Sequence, residues 1–348
     1  MRGAVSLAKN ILLSNTGPLK RPCRMTFIIT EKCNLKCSMC GIWEKESKDE
    51  LTADEIDSFF KTNNFFNWIN ISGGEIFLRK DIRTVFSSIN THCKNLYLLD
   101  FPTNGFMTET ITDTVEYLLL NTDIPRIAVT VSLDGPPHLH DRIRGVKGSW
   151  RKAVNTFMAL SRIKAENLKL FFGMTLGESN IHSIDATLNS LKEFIPLISP
   201  DDLHINLPQT SAHYYSNMSL PGTDRKELIK ALDTIKRNRN FIFFNPVHIL
   251  ERAYLNKAVT FLNTGKCPVP CRAGDVSFFM GPDGTIYPCS IFDLKLANIR
   301  EHDYNIMNIW NNRRRIDTRN IIQKKKCPQC WSPCEAYQSI LGRIIDII

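Results

Sequence analysis

Cys33, Cys37 and Cys40 stand in one short stretch, Glu31-Lys-Cys-Asn-Leu-Lys-Cys-Ser-Met-Cys40. Three thiolates on one loop can hold three irons of a four-iron cubane and leave the fourth without a protein ligand. An open iron can bind and activate a small molecule, so such a loop does more than store an electron. A zinc site with its fourth ligand elsewhere is the competing reading. The segment before the loop, Met25-Thr-Phe-Ile-Ile-Thr30, reads as a buried strand, which puts the thiols just past a strand end.

Six more cysteines, Cys267, Cys271, Cys289, Cys327, Cys330 and Cys334, gather towards the other end of the chain, and Cys23 and Cys93 remain as small buried hydrophobes. The first residues lack the features of an export signal. Eleven cysteines in such a chain imply a reducing compartment, the cytoplasm, and metal ligation rather than disulfides. A second stretch with chemical potential is Ile71-Ser-Gly-Gly-Glu75. Gly73 and Gly74 allow a backbone to approach a ligand closely, and Glu75 can accept from an ammonium.

The elements that would position these groups alternate. Apolar runs at Met25–Thr30, Trp68–Ser72, Tyr97–Pro102, Ile127–Leu133, Leu168–Leu176 and Leu203–Leu207 read as strands, with amphipathic segments between them. Thr52-Ala-Asp-Glu55 reads as a capping box opening one of those helices. Strands joined by helix-length connections pair in parallel through right-handed crossovers. The expected fold is therefore α/β, a partial (β/α)6 TIM-like barrel over 25–210 with its chemistry at the strand carboxyl ends. A helical connector over 211–265 and a small cysteine-rich domain over 266–336 follow. That small domain carries a hairpin turning at Asp283-Gly284, and its sparse apolar content points to metal, rather than core burial, as its staple. Residues 1–24 form an amphipathic segment and 337–348 an apolar tail.

The C-x3-C-x2-C spacing, set after a first strand, resembles the signature of the radical S-adenosylmethionine (radical SAM) enzymes. The resemblance implies a [4Fe–4S] cluster on Cys33, Cys37 and Cys40 with S-adenosylmethionine on its open iron. It implies reductive cleavage of that cofactor and hydrogen abstraction by a 5′-deoxyadenosyl radical, with the electron coming from a flavodoxin- or ferredoxin-like donor. Gly73, Gly74 and Glu75 match the motif that holds the cofactor's amino group. Thr103 and Asn104 after the third strand, and Ser132 after the fourth, look like ribose and carboxylate contacts. Arg144 could pair with the carboxylate, Arg142 being the competing choice. Thr175 and Asn180 are weaker candidates for the same pocket. Two positions depart from the family pattern without removing a ligand: Met39 where an aromatic residue is usual, and Ile76 where a proline commonly follows the glutamate.

Cys271, Gly284-x4-Cys289 and Cys327-Pro-Gln-Cys-Trp-Ser-Pro-Cys334 resemble the auxiliary-cluster extension called SPASM, or its shortened form, twitch. That implies one auxiliary [4Fe–4S] cluster on Cys271, Cys289, Cys327 and Cys330, with Cys334 or Cys267 able to replace one of them. Structural zinc is the rival here too.

Net charge is +9, and much of the basic excess sits in Asn311–Lys326, read as a solvated helix face. No aromatic residues interleave with those cations, so no nucleic-acid partner is expected. Val5, Ala8, Ile11 and Leu12 share a helical face, and Ile340–Ile348 is apolar. Peripheral membrane contact and docking onto the barrel are both open, and docking is favoured. The leading functional expectation is radical chemistry on a small-molecule or lipid-linked substrate. The alternative is a maturase acting on a peptide or protein side chain, for which residues 1–24 leave little room for a recognition domain. A zinc-stapled binding protein is the alternative of another class.

Overall fold

Six of the apolar runs become six parallel strands. In the computed structural model, which describes residues 2–46, 49–220, 222–239 and 245–343, they are β1 (Arg24–Ile28), β2 (Trp68–Ser72), β3 (Leu98–Thr103), β4 (Arg126–Ser132), β5 (Leu168–Thr175) and β6 (Leu203–Asn206). Each pairs in parallel with the next, with Phe27 opposite Ile71 and Val131 opposite Phe172. Pro102 lies in β3, a central strand, and has no N–H to give. The β2–β3 ladder ends at Asn70↔Asp100, before that proline, while the β3–β4 ladder runs on to Thr103↔Val131. The sheet thus splays beyond Asp100, between the glycine-rich turn after β2 and the end of β3.

The helices are α1 (Arg2–Thr16), α2 (Ala53–Thr62), α3 (Ile82–His92), α4 (Thr108–Asn121), α5 (Pro137–Arg144), α6 (Ser149–Ser161), α7 (Ile184–Lys192), α8 (Arg225–Asn238), α9 (Pro246–Thr264), α10 (Ile306–Trp310), α11 (Arg313–Gln323) and α12 (Pro333–Leu341). The capping box forms as expected at α2: Thr52 Oγ1 accepts from Glu55 N–H and Glu55 from Thr52 N–H.

Two expectations change. The cysteine-rich segment does not stand apart from the barrel. Its strand β7 (Ser277–Met280) pairs in parallel with the outer edge of β1, Arg24 opposite Ser277. β8 (Thr285–Tyr287) and β9 (Ala297–Asn298) then extend the same sheet antiparallel. Phe278, Met280, Ile286, Trp310 and Trp331 belong to the same continuous core as Phe27, Phe66 and Ile69. Core burial therefore holds this segment, and metal is not its only staple.

The basic stretch is also only half solvated. Arg313 and Arg314 are exposed, but Arg319 is buried against Asp275 at 3.2 Å, and Arg315 lies over the Trp310 ring. At the N-terminus α1 docks on the barrel. Gly3 and Ser14 are buried, Asn10 Nδ2 donates to Asn67 Oδ1 at 2.6 Å, and Arg272 donates to the Ser14 carbonyl. Val5, Ala8 and Leu12, three of the four residues read as its apolar face, stay exposed, so the helix docks through its other side. The last five residues of the apolar tail, 344–348, lie outside the described residues. No helix among the described residues is long and apolar enough to cross a membrane.

Candidate active site

The cysteine loop is held by backbone contacts from three directions. Lys36 N–H donates to the Arg144 carbonyl at 3.1 Å and Ser38 N–H to the Ile143 carbonyl at 2.8 Å, so the orphan carbonyls at the end of α5 are satisfied by the loop. Gly145, which caps α5 at φ 71°, allows this: a Cβ there would stand 2.4 Å from the Lys36 carbonyl oxygen. Gly74 and Glu75 donate to the carbonyls of Thr30 and Lys32, and a Cβ on Gly74 would meet the Lys32 oxygen at 2.3 Å. Gly41 N–H donates to the Tyr215 carbonyl at 2.7 Å. The two glycines of the Gly-Gly-Glu stretch thus bring the turn after β2 against the cysteine loop.

A cavity of about 1500 Å³ runs through the barrel, from Arg24, Trp68 and Arg126 at the amino ends of the strands to the cysteine loop at their carboxyl ends. Cys33, Cys37, Cys40, Gly73, Gly74, Thr103, Asn104, Ser132, Arg144 and Thr175 all line it, as does Met39. Arg142 is exposed and away from it. Glu75 lies behind the cavity wall rather than in it. It is 1% exposed; Oε1 accepts from Thr103 Oγ1 at 3.0 Å and Oε2 from Asn104 N–H at 2.7 Å. Burial pushes its pKa up to about 7, against the pull of those donors. Glu75 ties the turn after β2 to the end of β3.

Arg144 is likewise committed within the protein. Its Nη2 pairs with Asp134 at 2.6 Å and its Nη1 points at Cys37 Sγ, 3.8 Å away, so the fork has already found partners other than a cofactor carboxylate. Asp134 is fully buried. Its Oδ1 accepts from Thr175 N–H at 2.9 Å, its carbonyl from Asn180 Nδ2 at 3.0 Å, and its own N–H donates to His140 Nδ1 at 3.1 Å. Burial pushes His140 down to about 3, so it stays neutral. Thr175 and Asn180 therefore serve both this hub and the cavity wall.

The reading of the sequence missed Asp134, His140 and a tyrosine pair. Asp134 and His140 lie in stretches it quoted, beside residues it singled out. Tyr214 and Tyr215 come from the segment taken as a connector. Tyr214 hydrogen-bonds Ser72 Oγ at 2.8 Å, and its ring lies 4.3 Å from that of Tyr215. Tyr215 packs against the cluster of Ile28, Ile42 and Phe279 on which Cys33 and Cys40 also rest, and against the cluster of Ala273, Cys289 and Ile291 on which Cys271, Cys327 and Cys330 rest, so it stands between the two cysteine groups.

Cys267, Cys271, Cys289, Cys327 and Cys330 line a second, small cavity of about 40 Å³. Cys334 lines the large cavity instead, separate from the five with which spacing had grouped it. Burial raises the Cys267, Cys271, Cys289, Cys330 and Cys334 thiols, Cys289 to about 12, and Cys33 in the first group to about 11, so ligation must displace their protons. Both donor sets are sulfur throughout, which suits iron–sulfur clusters. Among the described residues no three His, Cys, Asp or Glu side chains are placed to hold a single metal ion.

A barrel with three thiols after its first strand, at the mouth of a large cavity, is built as an iron–sulfur enzyme with room for an organic cofactor. Residues 27–191 match the radical SAM superfamily and residues 271–335 match an iron–sulfur cluster-binding domain, SPASM. The chain belongs to the radical SAM superfamily. Its cofactors are a [4Fe–4S] cluster with S-adenosylmethionine and auxiliary iron–sulfur, so the zinc reading is set aside.

Among relatives, the antilisterial bacteriocin subtilosin biosynthesis protein AlbA of Bacillus subtilis is 26% identical over 84% of this chain and 61% of its own length. The sporulation killing factor maturation protein SkfB of the same organism is 21% identical over 80% and 63%. The chain thus spans about three-fifths of the length of these two relatives. A probable GTP 3′,8-cyclase of Methanocaldococcus jannaschii is 25% identical over 78% of this chain and 86% of its own. Among solved structures, Streptococcus suis SuiB bound to precursor peptide SuiA superimposes with a TM-score of 0.60 at 17% identity, covering 89% of this chain and 68% of that one, a likeness of fold.

Proposed function

We propose that this chain is a peptide-modifying radical SAM maturase. The observation that carries the reading is the likeness to AlbA, which covers 84% of the chain. SkfB is named for maturation and SuiB carries a precursor peptide, which is consistent. This reverses the leading expectation from the sequence. A small-molecule reaction stays as the second reading because the cyclase relative is matched over most of its own length. Nothing in the contacts of α1 favours a lipid-linked substrate.

In this reading Cys33, Cys37 and Cys40 hold the reactive cluster and Cys271, Cys289, Cys327 and Cys330 the auxiliary one. When bound, the cluster and cofactor supply a carbon radical that removes a hydrogen atom from the substrate. The backbone at Gly73 and Gly74 offers carbonyls to the cofactor's ammonium, and Thr103 and Ser132 offer hydroxyls to its polar edges. The walls of the cavity exclude water from the radical. A flavodoxin- or ferredoxin-like protein delivers the electron.

The test is anaerobic incubation of reconstituted protein with S-adenosylmethionine and dithionite, with 5′-deoxyadenosine measured by chromatography. Peptide and small-metabolite fractions of a cell extract are added separately. The peptide fraction should accelerate release and contain a mass-shifted product, and Cys37→Ala should abolish release. Acceleration by the small-metabolite fraction alone would transfer the assignment to the second reading.

A further inference from the structure

Two of the three loop sulfurs each face a side-chain N–H donor, and each donor residue is held by a buried carboxylate that does not itself line the cavity. Asn104 Nδ2 lies 4.0 Å from Cys33 Sγ and donates to Asn34 Oδ1 at 2.8 Å. The orientation of its amide is determined, because Oδ1 accepts from Phe106 N–H at 2.9 Å, leaving the NH2 side to face the sulfur. Its backbone N–H is gripped by Glu75. Arg144 Nη1 lies 3.8 Å from Cys37 Sγ, with its fork clamped by Asp134. Asp134 is in turn tied down by Thr175, Asn180 and His140.

Resting on the assignment of Cys33, Cys37 and Cys40 as cluster ligands, we propose that Asn104 and Arg144 are positioning donors to the Cys33 and Cys37 thiolates, and that they raise the reduction potential of the cluster. Reduction adds one negative charge to the cluster and its sulfurs. An N–H donor and a buried guanidinium both stabilise the more negative state, which makes the electron easier to accept. Burial strengthens the effect, since both donors lie in a region where water screens little. Arg144 carries a full charge and Asn104 only a dipole, so Arg144 has the larger influence.

The experiment is an EPR-monitored redox titration of the full-length reconstituted protein, without S-adenosylmethionine, for the parent, Asn104→Ala and Arg144→Met. Omitting the cofactor keeps any loss of cofactor binding out of the readout. Each variant should retain the parental iron content. Arg144→Met should lower the midpoint of the first cluster by at least about 59 mV, tenfold in a one-electron equilibrium, and Asn104→Ala should lower it by less. The auxiliary cluster serves as internal reference, because a general loosening of the fold would move both midpoints.

Midpoints of the first cluster equal to the parent's in both variants would overturn the inference while leaving the ligand assignment intact. Should one variant fail to fold, the other still decides. Full iron retention after Cys33→Ala, Cys37→Ala and Cys40→Ala combined would instead remove the ligand assignment itself.

Discussion

Glu75 separates what the sequence could say from what only the structure shows. The Gly-Gly-Glu stretch was visible as a site, but the direction of its carboxylate depends on the splay after Pro102, which no local pattern encodes. Its burial has a consequence for stability. The unfolded chain ionises this group near 4.5 and the folded chain near 7. Between those values the native state holds the extra proton, so the unfolding free energy falls as pH rises through that window and levels off above it. Glu75→Gln has no such proton to lose. Its stability relative to the parent should rise by up to roughly 3 kcal/mol from pH 4.5 to pH 7 and then stay flat. Urea titrations at a series of pH values would check this, and parallel curves would contradict it. Cys334 makes the same point for the thiols: C-x3-C spacing joins it to Cys330, yet the first turn of α12 turns it into the large cavity. Cys334→Ser should leave the iron content at the parental value, whereas Cys330→Ser should lose about four irons per chain if each cluster is a four-iron one.

At the scale of elements, the strands were legible because β1 and β2 are buried on both faces while β3, β4 and β6 alternate buried with part-exposed positions, and observed boundaries fall within two residues of those read from the sequence. What the runs could not reveal is which loops touch. The meeting of α5 with the cysteine loop depends on Gly145, and a comparison of two glycines isolates that contact. Gly145 and Gly148 both have φ in the left-handed region, at 71° and 83°. Nothing lies within 4 Å of a Cβ on Gly148, while one on Gly145 would collide with the Lys36 carbonyl. Gly148→Ala should therefore cost about 1 kcal/mol for conformation alone. Gly145→Ala should cost more, about 2–3 kcal/mol, and should also weaken iron retention by the first cluster. Urea midpoints and iron analysis on the two variants check it; equal effects would show that the α5 junction does not hold the loop.

For the whole molecule, the family and its barrel were readable from thiol spacing and strand order, but the unity of the chain was not. Ser277 pairs with Arg24 across most of the sequence, and non-local pairing leaves no mark in either segment alone. Because β7 completes the edge of β1 and Phe278, Trp310 and Trp331 share the barrel's core, the two cysteine groups ride on one body. Separate domains would unfold in separate steps. A single core with a continuous sheet should unfold in one. Scanning calorimetry of the anaerobic, reconstituted protein should show one transition, and Trp310→Ala, which opens a cavity in the shared core, should lower it as a whole at a cost of about 3–5 kcal/mol. The decisive comparison is between spectroscopic probes: loss of the visible absorbance of the auxiliary cluster and loss of far-ultraviolet ellipticity should follow the same curve in Trp310→Ala. If the absorbance faded well before the ellipticity, the C-terminal strands would be a detachable module, and the position of Tyr215 between the two cysteine groups would lose its rigid frame.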